Sequence, residues 1–232
     1  MPDAADRLIL ALDLPAAPEA LSLAERLTPP LRRVKVGPGL FALAGSGLLR
    51  DLRGLGLKVF LDLKLHDIPS TVRAATRAVG GLGAELLTVH LSGGEAMARA
   101  AVEGARESGS TRILGVTLLS SLDAAAMRGV GFSGSPEEVV RRLAGIGVAA
   151  GVDGVVASAR EAAALRLVVS PPRLIVTPGI RPRGAPADDQ ARTATAAEAM
   201  AAGADLLVVG RPITASADPA AALRSLLGEI GS

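Results

Sequence analysis

Short apolar runs with period-two alternation take turns along this chain with longer stretches whose period is near 3.6, and the pattern persists from end to end. The runs Leu8–Asp13, Arg33–Gly37, Leu57–Lys64, Glu85–His90, Arg112–Thr117, Gly154–Ala157, Leu174–Thr177 and Leu206–Gly210 are predicted as strands. Between them, Ala17–Leu27, Thr71–Gly80, Gly94–Glu107, Pro136–Ala149, Ser158–Leu167 and Thr195–Ala202 read as helices. Strands separated by helices predict parallel pairing through right-handed crossovers. At 232 residues, a closed (β/α)8 barrel of the TIM type fits better than an open sheet, and no linker or low-complexity tract divides it into domains. The connection from about 178 to 192, rich in Pro, Gly and Asp, is expected to be a lid over a site.

The strand faces say where chemistry belongs. In the first strand Ile9, Ala11 and Asp13 share one face, while Leu8, Leu10 and Leu12 share the other. In the third, Lys58, Phe60, Asp62 and Lys64 oppose Val59, Leu61, Leu63 and Leu65. The uniformly aliphatic faces belong under the helices, which turns the polar faces toward the barrel axis. Barrels of this type build their sites at the carboxyl ends of the strands, so Asp13, Lys35, Asp62 and Lys64 are expected around one mouth. Asp67 follows in the loop that Pro69 shapes. Any one of these residues reads equally well as structural; Asp13 could cap the next helix and Lys35 could simply neutralise a neighbour. Four at successive strand ends are hard to explain by stability, because buried ion pairs seldom outperform apolar packing.

A second polar cluster lies near the C-terminal end. In Val208–Ile213, Gly210 lets backbone N–H groups approach an anion, Arg211 adds a forked donor, and Pro212 suits a first helical turn. With Arg181 and Gln190 in the candidate lid, these residues are expected to bind phosphate.

Composition removes several alternatives. The formal net charge is only +2, the 25 basic residues are scattered, and three Phe without Trp or Tyr leave little for base stacking, so no nucleic-acid partner is expected. The absence of Cys rules out disulfides, a thiol nucleophile and a thiolate metal site. The acidic start, and an apolar run that ends at Asp13, match neither a signal peptide nor a membrane span, and a cytoplasmic protein is expected. His66 and His90 lack HxH or HExxH spacing, and two ammonium groups in one pocket would repel a divalent cation; no metal is expected. His90 is read instead as hydrogen-bonded at its strand end, and His66 as orienting its loop.

The chain resembles the orotidine 5'-phosphate decarboxylase family over essentially its whole length. The resemblance is carried by Ala11-Leu12-Asp13, Val34-Lys35-Val36-Gly37, Phe60 through Pro69, Thr88-Val89-His90, Thr177 through Pro182, Asp188 through Arg192, and Val209 through Ile213. The DxKxxDIPxT segment, Asp62 to Thr71, is the specific part. The resemblance implies a cofactor-free, metal-free decarboxylation of orotidine 5'-monophosphate to uridine 5'-monophosphate. It implies Lys64 as proton donor, Asp62 beside the departing carboxylate, and Lys35 and Asp67 completing an alternating charge network. Asp13 and Lys35 would hold ribose hydroxyls, Thr117 would contact the pyrimidine, and Gln190 would bridge base and phosphate. Arg181, Gly210 and Arg211 would grip the phosphate. It further implies a homodimer in which Asp67, Ile68 and Thr71 reach into the partner's pocket. Pro38-Gly39 is a local departure that affects only the geometry of its own loop. Magnesium-dependent relatives with a DxKxxD barrel, such as keto-gulonate phosphate decarboxylases and hexulose phosphate synthases, lack the DIPxT continuation and the Gln190-bearing lid. A non-catalytic phosphosugar-binding barrel would keep Gly210-Arg211 but have no need of Lys64.

Overall fold

In the computed structural model, which describes residues 3–182 and 193–231, the strands close into a parallel barrel. They are β1 (Leu8–Ala11), β2 (Arg33–Val36), β3 (Lys58–Leu65), β4 (Leu86–His90), β5 (Arg112–Val116), β6 (Gly154–Val156), β7 (Leu174–Thr177) and β8 (Leu206–Val209). Each pairs with the next, and β8 returns to β1 through Leu8↔Leu207, Ile9↔Val208 and Leu10↔Val209. Closure leaves no exposed sheet edge.

Alternation along the strands divides the apolar residues into two cores. Ile9, Ala11, Phe60, Leu86, Leu114, Val176, Leu206 and Val208 fill the barrel interior. The opposite faces, including Leu8, Leu10, Val59, Leu61 and Leu87, pack under the surrounding helices. The expected inward set in β1 and β3 is therefore the observed one up to Asp62. Helix starts follow local chemistry: Ser135 and Thr195 each form a reciprocal capping box, with Glu138 and Glu198 respectively.

The amino-terminal end of the barrel is closed by paired charges. Arg33 Nε donates to Glu85 Oε2 at 2.9 Å, and Arg112 donates to Glu85 Oε1 at 3.1 Å. Asp153 and Asp205 accept backbone N–H groups from the neighbouring strands, at Ile113 (2.8 Å) and Ile175 (2.7 Å). These groups satisfy one another and leave the opposite end to carry function. Among the described residues no helix is long and apolar enough to cross a membrane.

The helices Pro69–Gly81 and Gly94–Ser108, which follow β3 and β4, pack closely at Gly104. A Cβ there would collide with the Arg73 carbonyl oxygen and the Thr76 hydroxyl. Gly145, inside the helix Pro136–Ala150, would meet nothing within 4 Å. The two substitutions should therefore differ in sign. Gly104→Ala is expected to destabilise the fold by about 1–3 kcal/mol through overpacking. Gly145→Ala should stabilise it by about 0.4–1 kcal/mol. Urea denaturation of both variants checks the pair.

Candidate active site

The end of β3 departs from a regular ladder. Phe60 pairs with Leu86 and Leu61 with Leu87, but the next pair is Leu65 with Val89. Three residues of β3, Asp62, Leu63 and Lys64, thus stand against the single residue Thr88 of β4. Lys64 takes the left-handed conformation, φ 50°, alone among the described non-glycine residues. For an L residue this costs about 1–2 kcal/mol, and such strain persists where surrounding contacts hold it.

Those contacts are specific. Lys64 Nζ donates to Asp62 Oδ2 at 2.7 Å, and Lys35 Nζ lies 3.6 Å from the same oxygen. Lys35 also donates to Asp13 Oδ1 at 2.9 Å. Thr88 donates its hydroxyl to Asp62 Oδ1 at 2.8 Å and accepts the Lys64 backbone N–H at 2.9 Å. The four expected strand-end residues therefore meet as one chain, Asp13–Lys35–Asp62–Lys64. Asp62 is only 8% exposed. Burial is the largest influence on its carboxyl and pushes the pKa up. The Lys64 and Lys35 charges, with the Lys64 and Thr88 hydrogen bonds, outweigh burial and hold it below the usual carboxylate range.

This chain forms the floor of a cavity of about 540 Å³ lined by Asp13, Lys35, Asp62, Lys64, Gly179, Arg181, Gly210 and Arg211, among others. Its charged lining comprises four basic groups and two carboxylates, an excess that suits an anionic ligand. A Cβ at Gly210 would come no closer to the protein than 3.5 Å, at Ala11, so packing alone does not demand glycine there. Ser120, Ser121, Ser158 and Thr214 also line the cavity, and the reading of the sequence missed them. They lie in loops or at a helix edge, where no periodicity marks a direction.

Other expected residues fall elsewhere. Thr117 does not line the cavity. β5 ends at Val116, and the Thr117 hydroxyl donates to the Val156 carbonyl at 2.9 Å; Ser120 occupies the wall instead. Asp67, Ile68 and Thr71 are exposed and also lie outside the cavity of their own chain. Asp67 Oδ1 accepts the Ile68 N–H at 2.6 Å, and Ile68 is 64% exposed. Gln190 and most of the 178–192 segment lie outside the described residues. The His90 side chain makes no hydrogen bond among the described residues, contrary to expectation; its ring lies 5.5 Å from that of His66. Burial first, then His66 and the Lys64 charge, push the His90 pKa down, with Asp62 opposing. Among the described residues no group of three or more His, Cys, Asp or Glu is placed to hold a metal ion.

The site thus stands where closed (β/α)8 barrels build their active sites, at the carboxyl ends of the strands, and its lysine–carboxylate chain beside a basic rim marks an enzyme-type cavity for an anionic ligand. Residues 6–226 match the model of the orotidine 5'-phosphate decarboxylase / HUMPS family, and the chain belongs to that family. Orotidine 5'-phosphate decarboxylase of Halorhodospira halophila is 52% identical over 227 residues, 97% of this chain and 96% of the relative. That of Anaeromyxobacter dehalogenans is 51% identical over 221 residues, 95% of this chain and 96% of the relative. The crystal structure of orotidine 5'-phosphate decarboxylase from Lactobacillus acidophilus superposes with a TM-score of 0.88 at 35% identity, covering 98% of this chain and 100% of that one. The enzyme from Pyrococcus horikoshii gives 0.79 at 28% identity, covering 97% of this chain and 99% of that one.

The depressed pKa of Asp62 makes a stability prediction. A carboxyl whose folded pKa lies below its ordinary value of 3.8 contributes fully above that pH and loses its contribution as pH falls through the folded pKa. The stability difference between the native protein and Asp62→Asn should therefore change as pH falls below about 4, and stay level between about pH 5 and about pH 6. Denaturation of both proteins across this range measures it; a difference independent of pH throughout would contradict the assignment.

Proposed function

We propose that this protein decarboxylates orotidine 5'-monophosphate to uridine 5'-monophosphate, the closing step of pyrimidine nucleotide synthesis, in the cytoplasm and without a cofactor. The observation that carries the reading is Asp62 held ionised between two ammonium groups, Lys35 and Lys64, at the floor of a cationic cavity. Relatives of about half-identical sequence that bear the decarboxylase name favour it over the magnesium-dependent branch of the same family.

The chemistry follows from the charges. Loss of carbon dioxide leaves an electron pair on a ring carbon that no adjacent group delocalises. An ammonium about 4 Å away stabilises that charge by about 4 kcal/mol at an effective dielectric near 20, and more in a drier site. In this reading Lys64 supplies that charge and then its proton to the carbon. Asp62 stands beside the substrate carboxylate and repels it more than the neutral gas that leaves. Lys35 and Asp13 hold the ribose, with Lys35 also supporting the ionised Asp62. Arg181, Gly210 and Arg211 take the phosphate, whose binding energy is available for closing and ordering the site far from the reacting carbon. Ser120 and Ser121, rather than Thr117, put hydroxyls on the cavity wall after β5, and in this reading they face the base. The roles of Gln190 and of a lid at 178–192 rest on the sequence alone.

Asp67, Ile68 and Thr71 enter this reading through a second copy of the chain. Their exposure, and their absence from their own cavity, support a homodimer in which each subunit completes its partner's charge network.

The direct test follows the loss of orotidylate absorbance with purified protein in excess EDTA. Turnover is expected, and a strict requirement for magnesium would favour the other branch of the family. Lys64→Ala should lower kcat more than about a thousandfold while partly retaining nucleotide binding; an active variant would refute Lys64 as proton donor. Mixing inactive Lys64→Ala with inactive Asp67→Ala should restore activity to at most about a quarter of the sites by subunit exchange. No recovery would mean that each chain is self-sufficient.

A further inference from the structure

Thr88 is a fully buried polar residue in β4, and its hydroxyl makes two bonds that both lead to the site. It accepts the Lys64 N–H at 2.9 Å and donates to Asp62 Oδ1 at 2.8 Å. Both partners belong to the stretch where β3 carries three residues against one. Lys58 donates its N–H to Arg32 beside β2 and the Val59 carbonyl accepts from Glu85 beside β4, so in regular alternation the Lys64 N–H would face β2; the bulge brings it to β4 instead, where a side-chain oxygen accepts it. The same oxygen carries its proton toward the carboxylate, so its direction is fixed. A hydroxyl that accepts from one residue and donates to another couples the backbone of Lys64 to the side chain of Asp62.

We propose that Thr88 is a positioning residue that holds Lys64 in its left-handed conformation and orients the Asp62 carboxylate toward the two lysines, with this role in catalysis resting on the decarboxylase reading above. Asp62 uses Oδ2 for Lys64 and Lys35 and Oδ1 for Thr88, so the carboxylate has a defined rotation as well as a defined place. Valine at this position keeps the shape but removes both bonds. Lys64 N–H would be left without its acceptor, and Asp62 Oδ1 without its donor. Buried donors and acceptors are costly to leave unpaired, so the relief is a shift of the bulge or of the carboxylate, and either shift displaces the ammonium that receives the developing charge.

The experiment compares Thr88→Val, Thr88→Ser and Thr88→Ala with the native enzyme in two kinds of measurement. In steady-state assays, Thr88→Val and Thr88→Ala should lose about 10- to 100-fold in kcat with KM changed less than about threefold, while Thr88→Ser should keep most of the native kcat. The acid limb of the kcat profile should move to higher pH in Thr88→Val, because Asp62 has lost a hydrogen bond to its charged form. Amide exchange at Lys64, which does not depend on the reaction, should be slow in the native protein and in Thr88→Ser but fast in Thr88→Val. Should Thr88→Val fail to fold, the serine and alanine variants decide by the same readouts. Valine or alanine variants within about twofold of native kcat, or a serine variant as impaired as alanine, would overturn the proposal. An inactive native protein would defeat the decarboxylase reading instead, and the exchange measurement would still judge the geometry.

Discussion

Burial to 8% exposure pushes the Asp62 carboxyl up, and the two lysines and a threonine that converge on it outweigh burial and hold it below the usual carboxylate range. Without them, desolvation alone would favour the neutral carboxyl and weaken the alternation of charge at the barrel mouth. Each partner is delivered by a different element: Lys35 by β2, Lys64 by the distorted end of β3, and Thr88 by β4. The barrel brings three strand ends to one carboxylate, Lys64 and Thr88 by hydrogen bonds and Lys35 as an ion pair at 3.6 Å. At the opposite end of the barrel Glu85, just before β4, pairs with Arg33 of β2 and Arg112 of β5.

The strain at Lys64 belongs to the same arrangement. A lysine with φ 50° is unfavourable in isolation, yet its N–H and its ammonium are both anchored, to Thr88 and to Asp62. Energy from these contacts is stored as geometry, with the ammonium fixed before any substrate arrives. In the proposed reaction such preorganisation would let a charge stabilise a developing carbanion without first reorienting, which in water would consume most of the benefit.

Most of the barrel was legible in the sequence because its signal is periodic. Alternation in β1 and β3 correctly separated Ile9, Ala11 and Phe60 from Leu8, Leu10, Val59 and Leu61. The bulge was not legible, since Leu63 and Leu65 continue the apolar alternation through it and lysine carries no mark of a left-handed backbone. Thr88 reads as an ordinary β-branched strand residue, and only its contacts reveal two bonds into the site. Thr117 lies outside the cavity because β5 ends one residue earlier than its pattern suggests, and the loop beyond places Ser120 on the wall. The helix Pro38–Gly54 escaped the reading for a similar reason: Gly39, Gly45 and Gly47 punctuate it, and Gly45 does break it, with φ 61°. Candidate residues on strands could be placed from periodicity, whereas those in loops depended on a resemblance or on the structure.

The central claim is that the lysine–carboxylate chain acts on the substrate's reacting carbon. A crystal structure with a bound analogue of the nucleotide monophosphate tests this most directly. The account predicts Lys64 Nζ about 3 Å from the ring carbon that bears the carboxylate in the substrate, Asp62 beside that position, and the phosphate against Arg211. An analogue seated with its ring away from Lys64, or lysines turned outward into solvent, would contradict it.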